Sequence, residues 1–422
     1  MQENLKKPAH DFAVVGLGAS AGGLKALLEF FEQMPSDNGM VFVVIMHLSP
    51  KHESNAAAVL QNATKMPVMQ VTESIAIQPN HVYVIPPIKD LSMFDGQLRL
   101  SDSERPRGRH TAIDLFFRTL ADTHKSRAFC VVLSGTGSDG TVGLTRIKEE
   151  GGITIAQSPD EAEYDSMPRS AIDTGMVDFV LPVTDMPQKI MQIWRNAKLI
   201  KLPPMEDMPE PAHVTMTPDA TREAEEALRD ILATLRRRTG HDFTHYKRAT
   251  VLRRMERRLQ VNHLPGLPPY SEFLREHPDE STALLKDMLI NVTNFFRDRG
   301  AFEALEREVI PVLLKEKMAG EQLRVWVPAC ATGEEAYSIA MLFSEYAAPM
   351  PQPPEIQVFA TDIDEASIVK ARAGLYPQSI VTDVPPPRLR EFFIGELGSY
   401  RVKKSLREKI LFAVHNLIKD PP

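Results

Sequence analysis

The stretch VVGLGASAGGLKALLEFFEQMP, Val14 to Pro35, carries two competing readings. An apolar strand, FAVVG, runs into glycines. Leu24, Leu27, Leu28 and Phe31 then recur at helical spacing, and Pro35 stops the helix. Gly16-x-Gly18-x-x-Ala21 fits the turn that cradles a dinucleotide phosphate. The same turn contains Gly18-x-Ser20-x-Gly22, the spacing of a nucleophile elbow, where small residues flank a serine in a cramped bend. The dinucleotide fingerprint also expects an acid at the end of the second strand. That strand, MVFVVIMHLSP, ends in His47.

Beyond this stretch the βα rhythm continues. VMQV and HVYVIPP are shorter strands, AFCVVLSG is another buried run, and GITIAQ and DFVLPV complete the series. Buried strands alternating with helices predict an α/β fold, a doubly wound and mostly parallel sheet covered on both faces. In such a sheet, groups at the carboxyl ends of strands meet in one crevice. A serine needs a base, and the base needs an orienting group. His47 ends the second strand, and Asp139 lies in the glycine-rich loop SGTGSDG after AFCVV. Ser20, His47 and Asp139 are therefore expected to face each other if their strands are neighbours. The N-terminus of the first helix and the amides of Gly135 to Gly137 are candidate oxyanion donors. The plainer reading of Asp139 is a cap on the helix starting near Thr141.

The chain has 422 residues, which favours two or three domains. Its 43% hydrophobic and 25% charged content is that of a soluble globular protein, and a formal charge of -7 gives no global reason to expect nucleic acid. Cys130 and Cys330 are the only cysteines, which suits a reduced interior and excludes a disulfide framework. MQENLKKPAHDFAVVG does not read as a signal peptide, and no apolar run is long enough to span a membrane. The expected location is the cytoplasm. No metal site is assigned.

Asn196 to Ala220 has five prolines in 25 residues and reads as an extended linker, with an ordered strap as the alternative. After it, Leu228, Ile231, Leu232 and Leu235 mark a helix that Gly240 ends, and Leu252, Met255 and Leu259 mark a second. Lys247, Arg248, Arg253, Arg254, Arg257 and Arg258 stand against one acid, Glu256, and form a basic face on that second helix. A solvated face or an acidic protein partner fits this better than nucleic acid, because no aromatics interleave. The βα rhythm then returns in LRVWVPAC, IQVFATDID and ILFAVHN. The small loop ACATGEE after the first of these strands, with Asp362 ending the second, forms a cofactor arrangement in which Asp362 accepts ribose hydroxyls. The residues alone do not separate a dinucleotide from S-adenosylmethionine, and Asp362 also reads as a helix cap.

VVGLGASAGGLKAL, VVIMHLSPKHES, HVYVIPP, VVLSGTGSDGTVGL and ITIAQSPDEAEYDSMPRSAIDTGMVDFVLP together resemble the catalytic domain of the chemotaxis methylesterase family (CheB), nearly collinearly over residues 10–195. The resemblance implies a Ser20, His47, Asp139 triad that hydrolyses glutamyl γ-methyl esters on chemoreceptor helices, deamidates glutamine, and needs no cofactor. The family's usual methionine in the oxyanion loop is Thr136 here. Its N-terminal receiver domain has no counterpart, since about ten residues precede the first strand.

HDFTHYKRATVLRRMERRL, MLINVTNFFRD, VWVPACATGEEAYSIA, FATDIDEASIVKARAGLYP and FAVHNL are similar to the chemotaxis receptor methyltransferase family (CheR), from about residue 222 onward. That similarity implies S-adenosyl-L-methionine, with Asn291, Thr293, Arg297 and Glu335 at its methionine part. Asp362 would hold the ribose, and Asn416 and Leu417 the adenine. Arg297 would also orient the incoming carboxylate. The expected partners are cytoplasmic helices of methyl-accepting receptors or a similar acidic helical protein, without nucleic acid or membrane insertion. The domains expected are a methylesterase at 10–195, a Pro-rich linker at 196–220, a helical subdomain at 221–300 and a partial Rossmann-like sheet at 301–422. Only three strands of that last sheet are present, and the family's later R-N-V-x-I-Y-F segment has no counterpart. The expectation is a fragment of a longer methylesterase–methyltransferase fusion, or a second half without turnover that serves as a regulatory or scaffolding module.

Overall fold

The computed structural model describes residues 12–47, 55–102, 111–203, 216–290, 293–315, 321–396, 398–417 and 419–421. It divides into two compact units, Met1–Ile290 and Asn291–Pro422.

The first unit begins with strands β1 (Val14–Ala19), β2 (Val41–Met46), β3 (Val68–Gln70), β4 (Ile75–Ala76), β5 (His81–Val84), β6 (Lys89–Phe94), β7 (Gln97–Asp102), β8 (Ala128–Val132), β9 (Ile153–Gln157) and β10 (Phe179–Leu181). Its first six helices are α1 (Gly23–Gln33), α2 (Ala56–Gln61), α3 (Ala112–His124), α4 (Thr141–Glu149), α5 (Ser166–Asp173) and α6 (Met186–Ala197). Seven strands form one parallel sheet in the order β10-β9-β8-β1-β2-β5-β3, and these are the seven runs read as strands above. The order reverses at β1, which has β2 on one side and β8 on the other, so a crevice opens at their carboxyl ends.

Alternate residues sort to opposite faces, as the pleat requires. Val15, Leu17, Phe42 and Val44 pack with Phe30 and Phe31 of α1 and Trp194 of α6. Val14, Val41, Val43 and Ile45 pack with Phe116, Phe117 and Leu120 of α3 and Leu144 of α4. This packing answers the glycine question. Gly16 and Gly18 lie inside β1, not in the turn, and α3 presses on them. A Cβ on Gly16 would stand 2.9 Å from Phe117, and one on Gly18 2.5 Å from Ile113. They are there to admit a helix, and the dinucleotide reading of this stretch falls.

A three-stranded antiparallel sheet, β4-β7-β6, was not read from the sequence. Its hairpin turns at Asp95 and Gly96, both at positive φ, the Asp-Gly pair that favours a primed turn.

The unit ends in four helices, α7 (Pro218–Thr239), α8 (Arg248–Val261), α9 (Leu267–Glu276) and α10 (Pro278–Met288), packed around Ile231, Leu235, Leu252, Met255, Leu259 and Tyr270. Thr217 caps α7 through its hydroxyl, Pro218 opens it, and Gly240 closes it at φ 76°. Ile200 and Leu202 are buried in this helical core, and Lys201 donates its N–H to Pro265 O at 2.9 Å. The proline-rich 204–215 lies outside the described residues.

The second unit runs α11 (Arg299–Ala304), α12 (Ile310–Lys315), β11 (Gln322–Pro328), α13 (Glu334–Ala347), β12 (Glu355–Asp362), α14 (Glu365–Ala373), β13 (Leu375–Pro377), α15 (Pro386–Phe392), β14 (Phe393–Glu396), β15 (Ser399–Val402), α16 (Lys404–Arg407) and β16 (Ile410–Val414). The three runs read as strands pair in parallel as β11-β12-β16. An antiparallel trio, β13-β15-β14, was not anticipated. The core gathers Tyr337, Met341 and Phe343 of α13 with Phe412 of β16 and Phe295.

Candidate active sites

Ser20 follows β1 and His47 follows β2, each one step past the paired residues Ala19 and Met46, so the two stand side by side at neighbouring strand ends. The His47 N–H reaches Ala19 O at 3.4 Å. The loop after β8 closes the other side, because the Ser20 N–H donates to Ser134 O at 3.0 Å. The Ser134 hydroxyl donates to Ala21 O at 2.9 Å and accepts from the Tyr164 N–H at 3.0 Å, which staples the bend. Gly22 sits at φ 72°, where a Cβ would meet Glu163 and Ser134 at 2.8 Å.

Asp139 meets His47 across the crevice, with His47 Nε2 donating to Asp139 Oδ2 at 2.9 Å. Three backbone amides hold the same carboxylate. Ile113 N–H donates to Oδ2 at 3.1 Å, Asp114 N–H to Oδ1 at 3.0 Å, and Gly140 N–H to Oδ1 at 2.9 Å. The expected capping role is therefore filled at another helix. Asp139 caps α3, which lies far away in sequence, rather than α4 beside it.

One expected oxyanion donor is corrected. The Gly135 N–H is already bonded to Tyr164 O at 2.9 Å. Gly135 has a different task, since a Cβ there would stand 2.2 Å from Met167 Sδ and 2.8 Å from Ser20 Cβ. Gly135→Ala is expected to displace the Ser20 bend and cost about 1–3 kcal/mol, read as a lower urea midpoint. An unchanged midpoint would contradict this packing.

The basic face of α8 is the largest departure from expectation. Arg254, Arg257 and Arg258 are buried. Arg254 donates to the Glu149 carbonyl at 2.5 Å, and Arg253 pairs with Glu150 at 3.6 Å. Arg257 sits between Asp178 and Asp287. Arg258 pairs with Glu280, and Arg248 with Glu225. The acidic surface that the sequence asked for is supplied by this chain itself. A lone helix pattern does not reveal this, because the carboxylates come from four other segments.

In the second unit, three strand ends converge. Pro328 pairs with Thr361 and Asp362 with Val414, so the loop after β11, Asp362, and residues 415–417 share one edge. Asp362 is 2% exposed; Oδ2 accepts from Ala331 N–H at 2.8 Å and Oδ1 from Asp364 N–H at 2.9 Å. Asp364, not Asp362, caps α14, through bonds from Ala366 N–H and Ser367 N–H. Ala329 and Ala331 both lie at positive φ, strain that small residues bear best. Burial pushes the thiol of Cys330, between them, up to about 12, so it is inert at neutral pH.

Thr293 and Arg297 lie on the segment before α11, which Phe296 N–H ties to Ser338 Oγ of α13 at 3.2 Å. Glu335 opens α13; burial raises its carboxyl, Asp298 adds to this, and Arg297 opposes it. Asn416 is half-buried and accepts from Lys419 N–H at 3.3 Å, and Leu417 is exposed beside it. Asn291 lies outside the described residues. Sequence reading missed Glu334, which is buried, accepts from the Thr332 hydroxyl at 2.6 Å and is pushed by burial up to about 7. It also missed Asp114. A carboxylate, a loop of small residues and a partly exposed amide meet at one sheet edge, a set of groups compatible with a nucleoside.

The chain matches the family described as CheB methylesterase over residues 15–190. It matches the CheR methyltransferase all-alpha domain over 226–289, and the CheR SAM-binding domain over 291–422. An uncharacterized 104.1 kDa protein of Rhodobacter capsulatus is 38% identical over 374 residues, which are 87% of this chain and 39% of that protein. This chain thus spans about two fifths of that relative. A protein of Leptospira interrogans described as a putative protein-glutamate methylesterase/protein-glutamine glutaminase is 29% identical over 44% of this chain and 97% of its own length. A protein-glutamate methylesterase/protein-glutamine glutaminase of Pyrococcus horikoshii is 31% identical over 42% of this chain and 50% of its own. Among solved structures, the CheB methylesterase catalytic domain of Thermotoga maritima is 27% identical at a TM-score of 0.41, covering 43% of this chain and 98% of its own.

Proposed function

We propose, from the premise that this chain joins a CheB methylesterase domain to the all-alpha and SAM-binding domains of a CheR methyltransferase, that it is a bifunctional chemotaxis-type signalling enzyme. Its first domain hydrolyses glutamyl γ-methyl esters of a receptor-like helical protein and deamidates glutamine there. Its SAM-binding domain serves the reverse methylation. The supporting observation is the His47–Asp139 hydrogen bond of 2.9 Å beside the Ser20 bend.

In this reading His47 takes the Ser20 proton as the hydroxyl attacks the ester carbonyl, and Asp139 steadies the imidazolium that forms. With Nε2 committed to Asp139, Nδ1 is the ring nitrogen that serves Ser20. The amides of Ala21, Thr136 and Gly137 are the proposed oxyanion donors, now that Gly135 is committed elsewhere. Collapse of the tetrahedral adduct breaks the C–O bond to methanol, which leaves with the proton from His47. Water, activated by the same imidazole, then releases glutamate. No cofactor is needed for these steps.

For the second activity, S-adenosylmethionine supplies an electrophilic methyl group when bound. Asp362 would hold the ribose, Asn416 and Leu417 the adenine, and Asn291, Thr293, Arg297 and Glu335 the methionine part. Arg297 would also orient the incoming glutamate, whose carboxylate is already ionised at neutral pH. Alignment would carry most of the rate. Asp362→Ala is expected to weaken S-adenosylmethionine binding by about tenfold or more, measured by calorimetry on the full chain. Equal affinity in the variant would contradict the ribose role, and no binding by the parent chain would favour a scaffolding second half.

Among the described residues no helix is long and apolar enough to cross a membrane. We place the protein in the cytoplasm, facing receptor helices.

A further inference from the structure

We propose that Asp114 is a positioning residue for Asp139, the two side chains capping each other's helices so that the acid facing His47 is held in one orientation. The proposal rests on the hydrolase reading of Ser20, His47 and Asp139.

The geometry is reciprocal. Asp139 lies immediately before Gly140, the N-cap of α4, yet its carboxylate binds the amides of Ile113 and Asp114 in the first turn of α3. Asp114, in that first turn, returns the contact. Its Oδ1 accepts from the Gly143 N–H at 2.8 Å, in the first turn of α4. Neither Thr111 nor Gly140, the helices' own N-caps, provides a side-chain cap. Each helix start therefore depends on the other's carboxyl group. The seam is tight, since a Cβ on Gly143 would meet Phe117 Cβ at 2.5 Å and Asp114 O at 2.8 Å.

Asp114 is 0% exposed, and among the described residues its Oδ2 has no hydrogen-bond partner. Burial, and then repulsion from Asp139, push its acid well above the ordinary carboxylate range. The Gly143 and Val142 amides and Arg118 on its own helix pull weakly the other way.

The test compares Asp114→Ala with Asp114→Asn in the full chain, following methanol release from a premethylated chemoreceptor cytoplasmic domain against pH. Alanine removes the cap on α4 and loosens Asp139. It is expected to lower kcat about tenfold or more with little change in KM, and to move the acid limb of the kcat/KM profile to lower pH, because the imidazolium loses support. Asparagine keeps a side-chain carbonyl able to cap α4, and is expected to recover most of the lost rate and return the limb. A limb that stays put in the alanine variant, with loss matching the unfolded fraction, overturns the proposal. So does an asparagine variant as impaired as alanine, a result that also decides the matter if alanine fails to fold. Full activity in Ser20→Ala would instead overturn the hydrolase reading, and this proposal with it.

Discussion

Ser20→Ala is expected to cut methanol release from a methylated receptor domain by about 10⁴-fold or more, leaving the thermal midpoint where it was. The first half follows from chemistry, since Ser20 carries the hydroxyl of the GASAGG bend that stands beside His47. The second follows from structure. What Ser20 contributes to folding is backbone, an N–H donated to Ser134 O at 3.0 Å and a carbonyl accepting from Gly23 N–H at 2.9 Å, and alanine keeps both. A variant that retains a tenth of the parent rate would remove serine from the reaction.

The largest effect on stability is expected at Arg257. Its guanidinium is fully buried between Asp178 and Asp287, so Arg257→Met leaves two carboxylates without their shared partner. Breaking a buried pair in this way typically costs about 3–5 kcal/mol, measurable by urea unfolding of the full chain. A loss below about 1 kcal/mol would mean that the arginine is held by packing alone. The pH dependence carries a sign. Burial pushes the Asp178 carboxyl up, but Arg257 and then Lys148 outweigh it and hold the group at about 2, below its ordinary 3.8. Being depressed, it contributes stability that is present above about pH 4 and lost as pH falls toward 2, on the order of 2 kcal/mol in all. Most of that acid dependence should vanish in Arg257→Met.

The fold was legible where one element declares itself. The seven runs read as strands from FAVVG to DFVLPV are the seven strands of the parallel sheet, because short apolar runs alternating with helices have few other uses. Ser20 and His47 were legible as strand-end residues and Asp139 as the acid of the loop after AFCVV, since the carboxyl ends of strands in such a sheet gather at one crevice. What escaped were properties that belong to pairs of segments. Gly16 and Gly18 looked like a phosphate turn, but α3, about a hundred residues away, requires them to be small. Arg254, Arg257 and Arg258 looked like a solvated face because their carboxylate and carbonyl partners lie elsewhere in the chain. Asp114 carries no motif of its own in AIDLFF and drew no reading from the sequence. Only the meeting of α3 with α4 gives it work. The Asp95-Gly96 turn was a readable signal that went unused.

In the proposed reaction Ser20 Oγ is the atom that attacks, made reactive by His47. Incubating the chain with a serine-directed fluorophosphonate and mapping the adduct by peptide mass spectrometry tests it most directly. The account predicts one adduct, on the peptide holding Ser20, forming at least about a hundredfold more slowly in His47→Ala. Labelling of Ser20 at the same rate without the imidazole, or an adduct on a different serine, would contradict it.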